Sequence, residues 1–143
     1  MRSNGFTLIE VLITLGLLTM IAGFGLFATM NMYGQSSAEE ERTTLVALLE
    51  RARSHAMNNL YELPHGVCKN EDEYVVFKGD YSESAIEERV GVAPSIEVTG
   101  IPDCPDAISF SQLHGTTTPV TITLTGQGMT HPIEVNGEGR VAW

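Results

Sequence analysis

Gly5-Phe6-Thr7-Leu8-Ile9-Glu10-Val11-Leu12 opens an apolar run that continues to Tyr33 with Glu10 as its single charge. Ahead of it stand only Met1-Arg2-Ser3-Asn4, short and polar, with one positive charge at Arg2. The run exceeds the roughly 20 residues that carry a helix across a bilayer core. It is also longer than the apolar centre of a secretory signal, and no small-x-small cleavage site follows it closely. Arg2 before the run and Glu39-Glu40-Glu41 after it predict an N-terminus in the cytoplasm and a body outside. A carboxylate at membrane depth costs about 2.5 to 3.5 kcal/mol on insertion scales, so Glu10 calls for a cationic partner. Cleavage after Gly5 would create one, the α-amino group of Phe6. Its place near the front of the run would also let Glu10 rest at the membrane interface without any partner.

Downstream, helical spacing persists. Leu45, Leu48, Leu49, Ala52 and Ala56 form one apolar stripe, with Glu50, Arg51 and Arg53 off it. Such a stripe predicts a second helical stretch whose apolar face packs on the rest of the chain. Leu63-Pro64-His65-Gly66 ends it. Short strands are predicted at 73–78, 96–99, 107–113, 120–125, 132–135 and 140–143. The strictest alternation is Val120, Ile122 and Leu124 against Thr121, Thr123 and Thr125. Gly126-Gln127-Gly128 reads as a turn and Asn136-Gly137 as a tight hairpin. The organisation is therefore a leader at 1–5, a membrane or filament-core helix at 6–35, an amphipathic helix at 36–62 and an antiparallel β body at 63–143. The fold class is α+β, a long N-terminal helical spine packed on a C-terminal β-sheet body. Gly23-Phe24-Gly25 is the candidate weak point of the spine, since glycine weakens a helix by about 1 kcal/mol relative to alanine; the alternative is that these glycines only permit close helix packing.

The chain has 143 residues and a formal net charge of −10, from 8 basic and 18 acidic residues. Acid is concentrated between Glu71 and Asp106, opposed there only by Lys78 and Arg89. That balance repels phosphate backbones and makes nucleic acid a poor partner. Two cysteines, Cys68 and Cys104, both follow the apolar run. In an exported body they can form a disulfide; the alternative is a pair of separately buried thiols.

The N-terminal residues resemble the processing site of type IV prepilins and type II secretion pseudopilins: a short basic leader, Gly5, aromatic Phe6, an apolar run and Glu10. The resemblance implies cleavage between Gly5 and Phe6 by a prepilin peptidase, N-methylation of Phe6, and Glu10 as the assembly carboxylate. It implies other pilin or pseudopilin subunits, the peptidase, an inner-membrane assembly platform and, before assembly, membrane lipid as partners. The localisation implied is a single-pass inner-membrane precursor that becomes a periplasmic or extracellular filament. Many such proteins carry a mid-helix proline, and this chain has none before Pro64. A second resemblance lies toward the end. The Phe110 strand, the Thr-rich strand and Asn136-Gly137-Glu138-Gly139-Arg140-Val141 are similar to the C-terminal half of GspH/FimT-type minor pseudopilins and minor pilins.

Catalytic chemistry has no anchor in the sequence. His55, His65, His114 and His131 show no ligand spacing, and there is no phosphate loop and no nucleophile elbow. Glu71-Asp72-Glu73, and Asp103 with Asp106, are oxygen donors of the kind Ca²⁺ takes, but they lack the loop spacing of a calcium site. The expectation is a filament subunit rather than an enzyme, with no metal and no other cofactor. The competing reading is a binding module at a pilus tip, for adhesion or DNA uptake.

Overall fold

The computed structural model describes residues 7–126 and 128–143, and side chains outside 24–36. Helix α1 spans Leu8–Met57. Eight strands follow: β1 His65–Asn70, β2 Glu73–Lys78, β3 Ile86–Gly91, β4 Glu97–Thr99, β5 Ile108–Phe110, β6 Val120–Gly126, β7 Met129–Val135 and β8 Val141–Ala142. Contacts divide the chain into two compact units, Met1–Gly34 and Gln35–Trp143. The α+β class expected from the sequence is the class found.

The second unit holds two four-stranded antiparallel sheets, ordered β3-β2-β1-β5 and β4-β6-β7-β8. Its core is built on the predicted stripe. Leu45, Leu48, Leu49, Ala52 and Ala56 of α1 are all buried, as are Ala38 and Val46. They join Val67, Tyr74 and Val76 of the first sheet with Ile122, Leu124, Ile133 and Val135 of the second in one apolar cluster. In β6 the alternation works as read, with Ile122 and Leu124 inward and Thr121 outward. Burial of each large aliphatic side chain contributes about 1.5 to 3 kcal/mol. Removal of this one face from water therefore holds helix and sheets together.

Three predicted features differ. The helix ends at Met57 rather than near residue 62, because Asn59 adopts the left-handed conformation (φ 54°, ψ 38°) that terminates helices. The Ala56 carbonyl accepts from the Asn59 N–H at 3.1 Å and from the Leu113 N–H at 2.9 Å, which caps that end. A 3₁₀ turn, Leu60–Glu62, then leads into the first strand, with Tyr61 and Glu62 also at positive φ.

Two strands were not expected. β1 looks like a breaker region, since it follows Pro64 and contains Gly66. It is nonetheless the buried strand between β2 and β5. Gly66 is required there: a Cβ would meet the Phe77 ring at 2.8 Å, so the ring lies over the glycine facing it in register. β3 reads as solvated loop because it carries Glu87, Glu88 and Arg89. It forms the edge of the first sheet, where charge is tolerated.

The third difference is the Asn136-Gly137 turn, which is not a two-residue hairpin. Val135 pairs with Val141 across a longer loop. Asn136 Oδ1 accepts from the backbone N–H groups of Glu138 (3.1 Å) and Arg140 (2.8 Å). The left-handed glycine is Gly139, at φ 73°.

Cys68 and Cys104 form a disulfide. It ties β1 to the segment before β5, beside a short parallel bridge between Lys69 and Asp103.

Candidate functional site

The first unit is described from Thr7 onward, so Gly5 and Phe6, the expected cleavage and methylation residues, lie outside the described residues. Helix α1 starts where Thr7 can cap it. The Glu10 N–H approaches Thr7 Oγ1 at 3.4 Å and the Thr7 carbonyl at 3.1 Å. Thr7 and Glu10 have the spacing of a capping box, a local signal the sequence reading passed over. Glu10 lies in the first turn, where the helix dipole favours a negative charge.

Residues 7–23 are exposed throughout. Leu8, Ile9, Leu12, Leu18 and Ile21 are each more than half exposed. The two threonines inside the run return their hydroxyls to the backbone, Thr14 to the Val11 carbonyl (3.0 Å) and Thr19 to the Gly16 carbonyl (2.9 Å). Gly16 and Gly23 have open space where a side chain would stand. The result is a helix apolar on every face, its polar groups satisfied internally, with one carboxylate in the first turn. Such a surface is stable only in apolar surroundings or against other helices. No helix is long and apolar enough to cross a membrane among the described residues. The described apolar stretch, residues 8–23, is itself shorter than the roughly 20 residues a crossing takes.

In the second unit the acidic middle is less free than its composition suggests. Arg51 Nη1 donates to Glu88 Oε2 at 2.7 Å, and Arg89 bonds Glu83 (2.7 Å) and Glu73 (3.3 Å). Arg42 approaches Glu39, and Arg140 approaches Glu138. Glu41 of α1 is buried and accepts from the Ala93 N–H at 3.2 Å. Among the described residues, its other oxygen and the buried Tyr74 hydroxyl lack a hydrogen bond of ordinary geometry. Burial, then the Glu41 charge, raise the Tyr74 phenol far above its ordinary pKa.

A second grouping was not legible in the sequence. His55, His65 and Glu87 converge from α1, β1 and β3, with one donor atom of each within 4.8 Å of the others. His65 is fully buried, and among the described residues neither of its ring nitrogens has a hydrogen bond of ordinary geometry. Burial holds its imidazole below the ordinary pKa, against the opposing pull of Glu87. The Glu71-Asp72-Glu73 and Asp103/Asp106 acids form no such grouping among the described residues.

Comparison with known proteins bears on both units. Residues 1–26 match the prokaryotic N-terminal methylation motif. Residues 41–139 match the type II transport protein GspH family. Neither the curated proteins nor the solved structures gave a match. Pilin and pseudopilin families consist of membrane-anchored subunits that assemble with other pilin subunits into filaments. With an N-terminal methylation motif ahead of an α+β body matched over most of its length, the chain belongs to the GspH family and is a pilin- or pseudopilin-type subunit of a type IV pilus or type II secretion system.

Proposed function

We propose that the chain is a minor filament subunit, made as a single-pass inner-membrane precursor with its body outside. A prepilin peptidase cuts between Gly5 and Phe6, and Phe6 is then N-methylated. An inner-membrane assembly platform draws the subunit into the filament, where its N-terminal helix packs among those of other subunits. The reading is carried by one observation: a helix apolar on every side whose only charge in residues 8–23 is Glu10. In that setting Glu10 of one subunit pairs with the Phe6 amine of a neighbour. The pair is partly desolvated, so it sets register more than it adds stability.

The body acts by display and packing rather than by catalysis. Arg42, Arg51, Arg89 and Arg140 each have a carboxylate within 3.5 Å. That pairing supports setting DNA aside as a ligand, because a phosphate-binding surface needs unopposed cations.

The test is Glu10→Ala, expressed in cells that make the filament. Mass spectrometry of the envelope should find the variant cut and methylated at Phe6, while sheared filaments should lack it. Incorporation at the wild-type level would sink the Glu10 mechanism, and an intact leader at residues 1–5 in wild-type cells would sink the processing step.

A further inference from the structure

Glu87 owes its position to an irregularity in the first sheet. β3 pairs with β2 through Glu88↔Val76 and Ile86↔Phe77, with a register shift between Val76 and Phe77. Glu87 is the extra residue of that bulge. Bulges re-aim side chains, and this one turns a carboxylate from a charged edge strand toward two imidazoles. Its neighbour Glu88 is taken up by Arg51, which leaves Glu87 to the histidines.

Two of the three donor separations have the length found in a coordination shell, and all three donor atoms lie within 4.8 Å of one another. His55 Nδ1 lies 3.3 Å from Glu87 Oε2, and His65 Nε2 lies 3.6 Å from the same atom. Donors 2.0–2.2 Å from a tetrahedral ion stand roughly 3.3 to 3.6 Å apart. His65 is fully buried, and among the described residues neither of its nitrogens has a hydrogen bond of ordinary geometry, a requirement that an ion would satisfy. A cavity of about 310 Å³, lined by His55, Tyr61, Glu87 and Glu88 among others, adjoins the cluster.

We infer that His55, His65 and Glu87 form a binding site for a divalent transition ion of the zinc type, with the fourth position open to water from the cavity. Two imidazoles and one carboxylate suit zinc and its first-row neighbours, whereas calcium takes oxygen alone. The ion would brace three elements at once, the last turn of α1, the first residue of β1 and the bulge of β3.

The test uses the full-length chain in detergent, without a histidine tag and stripped by chelator. Zn²⁺ affinity and stoichiometry are measured by competition with a chromogenic chelator, and Co²⁺ serves as the spectroscopic probe. The expected result is one Zn²⁺ per chain and the intense visible bands of four-coordinate Co²⁺. His55→Ala and Glu87→Gln should each weaken Zn²⁺ binding by more than about tenfold, since even outer partners of metal sites matter that much. His114→Ala and His131→Ala should leave it unchanged. Absence of stoichiometric binding to the wild-type chain would overturn the inference, as would binding that survives both ligand variants. Should a ligand variant unfold, the wild-type Co²⁺ spectrum decides: the faint colour of six-coordinate Co²⁺ would refute the site.

Discussion

Three glycines in the turns of the second sheet separate backbone strain from steric overlap, and substitution by alanine should rank them. At Gly137 an added Cβ would meet Pro119 at 3.7 Å and the Thr117 carbonyl at 3.9 Å, both ordinary contacts. Gly137→Ala should therefore shift stability by less than about 1 kcal/mol, since the loss of unfolded-state freedom offsets small losses. Gly128 has φ 79° and open space around its Cβ position. A left-handed alanine costs roughly 1 to 2 kcal/mol, so Gly128→Ala should destabilise by about 1 kcal/mol once that entropic gain is subtracted. Gly139 combines φ 73° with a Cβ position that overlaps the Gly115 carbonyl oxygen and lies 3.0 Å from Arg53 Nε. The overlap is with backbone, so the loop must move. That puts at risk the Gly139 N–H bond to the Asn136 carbonyl (2.8 Å) and the Arg53 Nη2 bond to the Glu138 carbonyl (3.1 Å). Adding about 1 kcal/mol for each bond to the strain gives a loss of roughly 3 kcal/mol for Gly139→Ala. Urea unfolding of the full-length chain in detergent, followed by circular dichroism and by the fluorescence of Trp143, measures all three. A Gly139→Ala loss no greater than that of Gly128→Ala would refute the steric argument.

Replacing the Cys68–Cys104 pair by alanines opens a loop with a sequence separation of 36. Stability should fall by about 3 to 4 kcal/mol in the chain-entropy account, and a loss under about 1 kcal/mol in urea titrations would contradict it. Tyr74 supplies a pH prediction. Its folded pKa is raised, so folding holds a proton that the unfolded chain releases near pH 10. Stability from this group is complete below that pH and is lost as pH rises beyond it. Phenolate absorbance should show Tyr74 titrating only with global unfolding, and Tyr74→Phe should remove that class; early, reversible titration of every tyrosine would refute the burial argument.

What the sequence disclosed was local. The Tyr74-Val75-Val76-Phe77 run marks β2 and the threonine alternation marks β6, because each pattern is complete within a few residues. The stripe from Leu45 to Ala56 likewise names its own buried face. What stayed hidden depends on distant partners. β1 is a strand because β2 and β5 flank it, and Gly66 fits because Phe77 lies across the sheet. β3 hides behind its charges, which only an edge position makes tolerable. His55, His65 and Glu87 come from three separate elements, and a bulge that no local pattern announces completes the group. The N-terminal motif was legible for the opposite reason, since Arg2, Gly5, Phe6 and Glu10 lie close together in sequence.

The outer strands of the two sheets have a consequence for life in a crowded array. β4 and β5 have three residues each and β8 has two, too few to template a strand from a neighbouring body. Only β3 is long enough, and it carries Glu87, Glu88 and Arg89 together with a bulge. Short, charged or distorted borders are how β proteins resist edge-to-edge aggregation. Neighbouring bodies at high local concentration would thus have no long, regular border along which to zip together.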